Sequence, residues 1–455
     1  MDASALRGLA HPARVAAALA AFGLAVVPAL ATADAPARAE PPGTLVPPPV
    51  AHTMGFRRAT SRELAFVLPG AHLVDLEGVA TARLTATDDP KSATDDDEVT
   101  VVAVDQGTGT LYTNAGLLKV VTWTGQGSVT GPLSRPTDVA IDRSGLVGVT
   151  DTGNKRVVVL RHDGTSLTAV KAYGGFLEPL GIAADGNGGF YVCDRRLQAV
   201  FRLDAKTGAR TSFGLEAAFD RPIDVATIME GDPIAPARKR VIVVSDKNGA
   251  RLRVFDPAGS VRASRDASSL GIAGASFDAV ELDLHENVFA VDRRGNRIHK
   301  LRDDLYPLTT FGTRGTEPGQ FLAPRGIAIH RRFGQVFLTE EDGGQYLWIG
   351  TDVERFQAQP DGDGVRFDYV VTEESVVQLR VLDGSGRRVA TLLDRVRQHE
   401  GPQQGTWDGS DGSGHRVPAG AYFAELLAHA TYASGSTFEK RLTRRFVLPG
   451  VGARR

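Results

Sequence analysis

Apolar and polar positions along this chain fall into short alternations broken by turn residues, with no long stretch of helical period after the first 33 residues. The stretch Leu133–Tyr173 shows the pattern most clearly. Pro136–Ile141, Leu146–Asp151, Arg156–Leu160 and Leu167–Tyr173 are runs of strand length. They are separated by Asp142-Arg143-Ser144-Gly145, Thr152-Gly153-Asn154 and His162-Asp163-Gly164. Such runs, bounded by Asp, Asn and Gly, predict a four-stranded antiparallel meander. One meander has two faces to bury, so it needs neighbours of its own kind.

The sequence supplies them. Aligned on the acidic residue that ends the second strand, the copies carry Asp105, Asp151, Asp194, Asp246, Asp292 and Glu340. Their spacings are 46, 43, 52, 46 and 48 residues, by subtraction of those numbers. A period in this range with four strands per unit is the signature of a propeller, here with six blades. Ala140, Ala183, Ala226 and Ala328 match in the first strands, where sheets crowd around an axis. Val147, Val149, Val243 and Phe289 match in the second strands, where one sheet packs on the next. The repeated acid is expected to accept hydrogen bonds from backbone N–H groups of the following turn. The sixth unit lacks a fourth strand, so Glu63–Leu68 is expected to pair with it and lock the ring.

The units resemble NHL repeats. The motifs carrying the resemblance are Pro-x-Gly/Asp-Val/Ile-Ala, as in Pro136–Ala140, Pro179–Ala183, Pro222–Ala226 and Pro324–Ala328, then the second-strand Asp, then Gly or Asn with Arg in the next turn. The approach segment Phe311–Phe321 completes the pattern. The resemblance implies a six-bladed β-propeller over residues 62–351.

Beyond it, Val365–Val371, Val376–Leu382, Val389–Leu393, Phe423–Ala430 and Phe438–Leu448 read as strands of a small β-sandwich, with Trp407 in its core. Trp407-Asp408-Gly409 and Val417-Pro418-Ala419-Gly420-Ala421-Tyr422 resemble the immunoglobulin-like domain of flagellar hook-capping proteins, over residues 352–449. A tail of 450–455 follows. The expected fold is thus all-β, a six-bladed propeller followed by an immunoglobulin-like sandwich.

Composition narrows the function. Arg7 and Arg14 precede the apolar stretch Val15–Leu30, with small-x-small sites at Ala29–Ala31 and Ala31–Ala33. Residues 1–33 read as an export signal and 34–61 as a Pro/Ala-rich spacer. A secreted or cell-envelope protein of bacterial type, monomeric, is expected. Net charge is −2, which gives no basic field for a nucleic acid. Cys193 is the single cysteine and reads as a packed small side chain. The acidic run Asp95–Glu98 reads as a solvated loop.

The candidate site is the mouth of the central channel, where the first strands begin. Glu77, Thr137, Asp138, Asp224, Asp278 and Arg325 are its polar residues, with Leu180 and Ile223 at matching positions. Such a ring suits a polypeptide, glycan or small ligand. The expected function is non-catalytic binding or scaffolding, with no cofactor and the sandwich as spacer, attachment or sorting element. The alternative is a divalent-metal-dependent enzyme. Glu77 resembles the metal-binding glutamate of calcium-dependent propeller lactonases, which implies Ca²⁺ held by oxygens. Propeller lyases that hold zinc with channel histidines resemble the fold too, but their positions carry Thr137, Leu180 and Ile223 here.

Overall fold

The computed structural model describes residues 43–48, 57–88, 99–114, 119–228 and 240–450. The segment 1–33 read as an export signal and the acidic run Asp95–Glu98 lie outside the described residues. The fold is all-β and propeller-like, with an immunoglobulin-like sandwich at its C-terminal side.

Between residues 43 and 349 the described residues form five four-stranded sheets, one five-stranded sheet and a parallel pair of two-residue strands, Thr313–Arg314 with Gln320–Phe321. The pattern read from Leu133–Tyr173 is realised as Pro136–Ile141, Leu146–Asp151, Arg156–His162 and Leu167–Tyr173, paired in sequence order. The first sheet starts with Leu76–Arg83, the third with Pro179–Ala184, the fourth with Asp224–Thr227, the fifth with Ala279–Leu282 and the sixth with Ile327–His330. These first strands neighbour one another in order, and that of the sixth sheet neighbours that of the first.

Apolar clusters fill the junctions between consecutive sheets. Val102, Val104 and Leu111 of the first meet Val139, Val147 and Val149 of the second. Val157 and Val159 meet Phe190 and Val192, Cys193 and Phe213 meet Val244 and Phe255, and Val243 and Val254 meet Val280 and Val288. Phe289 and Ile298 of the fifth sheet meet Ile329, Val336 and Leu338 of the sixth. Cys193 is buried as a free thiol inside one of these clusters, as its sequence context suggests.

The repeated acids do more than hold their own turns. The carboxylate of Asp194 accepts from the N–H of Arg196 and Leu197 in the turn after it, at 3.1 and 2.9 Å. It also accepts from Leu177 and Glu178 in the segment before the first strand, at 2.7 and 3.2 Å. Asp105, Asp151, Asp246 and Glu340 bind their approach segments in the same way, through Val74, Ser134, Asp220 and Leu322 N–H. In five of the six sheets a buried acid therefore ties the entry of the unit to the end of its second strand, which satisfies donors that would otherwise be buried unpaired, while Asp292 of the fifth holds its own turn through Gly295 N–H at 2.9 Å.

The expected locking strand is corrected. Ser61–Val67, which covers most of Glu63–Leu68, is a helix. Thr60 accepts from Arg62 N–H at 3.2 Å while the Glu63 carboxylate accepts from Thr60 N–H at 3.0 Å, a reciprocal cap that turns the chain into a helix despite its apolar run. The strands that complete the sixth sheet come earlier, from the stretch read as a spacer. Leu45–Val46 and Arg58–Thr60 both pair antiparallel with Gly343–Ile349, at its far and near ends.

The sandwich packs Val353–Asp361, Gly364–Val371 and Gly401–Trp407 against the sheet of Ser375–Leu382, Arg388–Gln398, Gly420–Ala430 and Lys440–Leu448. Trp407 is buried in its core and meets Tyr422 and Phe446 edge-on, at ring separations of 5.4 and 5.8 Å. Its indole N–H donates to Ser410 O at 2.8 Å, so the polar end of the buried ring is satisfied.

Candidate functional site

Matching residues of the six first strands come together at one mouth. The outer set is Glu77, Thr137, Leu180, Ile223, Asp278 and Arg325, and the next is Gly78, Asp138, Gly181, Asp224, Ala279 and Gly326. They line a mouth of about 320 Å³, which narrows to a bore of about 70 Å³. All six polar residues expected from the sequence are there, together with Arg195, Arg293 and Arg294 from loops at the ends of second strands.

Their individual roles differ. Asp138 is engaged by backbone, accepting from Val139 N–H and, across to the third sheet, from Ile182 N–H, both at 2.8 Å. Asp224 reaches from the fourth sheet to Val280 N–H of the fifth, at 2.7 Å. Glycine makes room for both, since a Cβ at Gly78 would collide with the Asp138 carboxylate and one at Gly181 with that of Asp224. These two acids are therefore struts between sheets as well as walls of the channel. Thr137 is spent on Thr150 and Thr152, at 3.0 and 2.7 Å. Asp278 accepts from Ser276 Oγ at 2.8 Å and from Arg293 N–H at 2.9 Å.

Glu77 and Arg325 form the charged corner where the first and sixth sheets meet. Arg325 Nη1 lies 2.9 Å from Glu77 Oε1, donates to Leu76 O at 3.1 Å and also pairs with Asp75. Arg293 reaches the same Glu77 oxygen at 3.3 Å. Across the mouth, Arg195 is held by Glu178 at 3.0 Å.

One wall residue escaped the sequence reading. Glu281 lines the bore at the repeat position held elsewhere by Ala80, Ala140, Ala183, Ala226 and Ala328, and that exception to an alanine column was its signal. It accepts from Leu282 N–H at 2.7 Å and pairs with Arg331 Nη2 at 2.8 Å. Arg331 also donates to Leu282 O and Thr227 O, at 2.9 and 3.0 Å. It comes from the turn after a first strand, where no repeat motif marks it.

Burial pushes the carboxyls of this channel up. Asp224 reaches about 7, and Asp138 is raised well above the ordinary range by burial and then by the nearby charge of Asp224. Burial also raises Glu281 and Glu77, against the pull of Arg331 on the one and of Arg325 and Arg293 on the other. Near neutrality Asp224 thus carries its proton part of the time, beneath a mouth bearing guanidinium groups. The channel offers both donors and acceptors to a polar group. Among the described residues no three His, Cys, Asp or Glu side chains stand together so as to hold a metal ion. Glu77, the residue for which a Ca²⁺ set was implied, faces Arg325 and Arg293.

Comparison with known proteins agrees with these elements. The NHL repeat family matches residues 133–160 and the FlgD Ig-like domain family matches residues 356–431. No curated protein matches the chain. Among solved structures, a streptogramin B lyase is 12% identical with a TM-score of 0.42, the match covering 61% of this chain and 94% of that one. A gluconolactonase from Xanthomonas campestris is 16% identical with a TM-score of 0.42, covering 69% of this chain and 99% of that one. PorZ, a surface component of the type-IX secretion system of Porphyromonas gingivalis, is 12% identical with a TM-score of 0.37, covering 78% of this chain and 58% of that one. Likenesses at these scores carry no argument about activity. The chain is a repeat protein of propeller-like fold that carries an NHL repeat and a C-terminal FlgD Ig-like domain.

Proposed function

We propose that the six sheets make one closed six-bladed ring, and that its mouth is the binding site of an exported, non-catalytic protein of the bacterial envelope or exterior. The ligand is a polar group presented by a polypeptide, a glycan or a small molecule. The observation that carries this reading is the fixed state of the mouth. Arg195, Arg293 and Arg325 are each held by carboxylates, and Asp138 and Asp224 are each held by backbone N–H groups. Side chains pinned in this way bind without further ordering cost, and they are poorly free to ligate a metal or move with a reacting substrate. The sandwich serves as an attachment or spacing element.

The test is binding of the full chain to immobilised glycan and peptide panels, wild type against Glu77→Ala and Asp278→Asn. Loss of the wild-type signal in these variants, with melting little changed, is expected. Binding that ignores both substitutions overturns the reading.

One observation favours a second reading, an enzyme of lactonase or lyase type. Asp224, pushed up to about 7, has the pKa of a general acid or base in a cleft. Metal analysis of the purified protein, with assay against a panel of lactones, separates the two. Stoichiometric divalent metal with turnover that Asp224→Asn abolishes would establish the enzyme.

A further inference from the structure

The seam between the repeat domain and the sandwich holds three ionisable side chains that the mouth does not use. Lys300 comes from Arg297–Leu301 of the fifth sheet and Asp283 follows Ala279–Leu282 of the same sheet. Glu373 lies between Gly364–Val371 and Ser375–Leu382 of the sandwich. All three are fully buried. Lys300 Nζ pairs with Glu373 Oε2 and lies 3.7 Å from Asp283 Oδ2. The ring of Phe289 is 4.9 Å from the same nitrogen. Two carboxyls thus share one cation out of water. His285 Nε2 stands 3.9 Å from Glu373, but it is as close to Glu374, at 3.8 Å. An unpaired charge this deep is costly, so one of the two acids holds a proton. Burial raises the Glu373 carboxyl well above its ordinary range, against the pull of Lys300, and the charge of Asp283 adds to the rise. Glu373 is therefore the neutral acid.

We propose that Lys300 and Glu373 become joined by an amide bond once the chain has folded, a covalent link between the repeat domain and the sandwich for which Asp283 is the base. The link is independent of what the mouth binds. An amine held in a dry site against a neutral carboxyl is a nucleophile placed on its electrophile, and the fold has already met the cost of bringing the two together. Asp283 is fixed for its part. Its Oδ1 accepts from His285 and Asn287 N–H at 2.8 and 2.9 Å, and its Oδ2 accepts from Asn287 Nδ2 at 3.0 Å on the atom nearest Lys300. In the reaction Lys300 Nζ gives one proton to Asp283 and attacks Glu373 Cδ. The N–Cδ bond forms and the Cδ–Oε2 bond breaks. Oε2 leaves as water, with its own proton and a second one from the nitrogen. Asp283 keeps the proton it received. An ammonium and a carboxylate are thereby replaced by an amide and a neutral acid, so the reaction relieves the cost of charge in a site without water.

The test is the intact mass of the purified full chain under denaturing conditions. Wild type should be lighter by one water than the sequence running from its own N-terminus. Lys300→Arg, which keeps the cation and removes the amine, should show its full mass. Proteolytic digestion of wild type should release a branched peptide in which the Lys300 side chain carries the segment holding Glu373. Asp283→Asn removes the base and should slow formation about a hundredfold, read as the linked fraction against time after cell-free synthesis. A folded wild type of full mass overturns the proposal, whether or not the variants fold. So does a water loss that maps to an aspartyl succinimide or to a Lys300–Asp283 link. A link that forms at the wild-type rate in Asp283→Asn overturns the part given to Asp283.

Discussion

The two halves of the molecule bury their apolar surface in different ways. In the sandwich one continuous core runs from Phe356 and Phe367 through Trp407, Tyr422 and Phe446. In the propeller-like half the burial is divided among separate inter-sheet clusters, and five of the six sheets are tied to their approach segments by an acid of their own. A shared core fails as a whole, whereas a divided one loses a seam at a time. The two are joined by a buried charge contact. Lys300 of the fifth sheet pairs with Glu373 of the sandwich and lies 3.7 Å from Asp283, with all three fully buried. Around it, Tyr432 accepts from Leu284 N–H at 2.9 Å and Lys440 pairs with Asp352 at 3.1 Å. The sandwich is thus built into the flank of the repeat domain, and a freely swinging tag is not what the contacts describe.

The largest expected effect comes from breaking that junction. Lys300→Met leaves the buried Asp283 and Glu373 without their shared counter-charge and should cost about 3–5 kcal/mol. In chemical denaturation, a single wild-type transition should split into two. A single, merely shifted transition would show that the halves are coupled elsewhere. Next, Asp194→Ala strands four backbone donors in one sheet and should cost about 2–3 kcal/mol, with hydrogen-exchange protection lost first in the third sheet. Uniform loss across all sheets would argue against divided stability.

A smaller effect concerns pH. The raised group Asp224 holds its proton more tightly in the folded state than in the unfolded one. Its contribution is therefore fully present below the unfolded carboxyl pKa, near 4, and is lost as pH rises towards about 7. Asp224→Asn should flatten the decline of wild-type stability over that window, as read by melting temperature against pH. Smallest is Thr60→Ala, which removes the helix cap and should cost about 1 kcal/mol, with the loss confined to the edge of the sixth sheet.

Much of this was legible in the sequence because repeats write the same physics several times. The acid at Asp151 recurs at matched spacing, and the strands around it follow. The mouth residues follow in turn, since the start of a first strand fixes where its side chains stand. Two features were hidden for definite reasons. Leu64–Leu68 has the apolar character of a strand, and only the Thr60–Glu63 pair, a local capping signal, reports the helix. The Lys300–Glu373 contact joins residues 73 apart in the chain and leaves no periodic trace. Asp138 and Asp224 were legible as channel residues. Their service as struts was not, because it depends on which neighbouring strand carries glycine.

The pairing of Leu45–Val46 and Arg58–Thr60 with Gly343–Ile349 also sets a timetable. A chain emerging from its N-terminus delivers these short strands almost 300 residues before their partner exists. Until then they wait unpaired, and every sheet in between must form without the final stitch. Assembly of the whole repeat domain therefore ends with a long-range closure of high loop entropy. A ribosome that stalls before residue 349 releases a product whose last edge is still open.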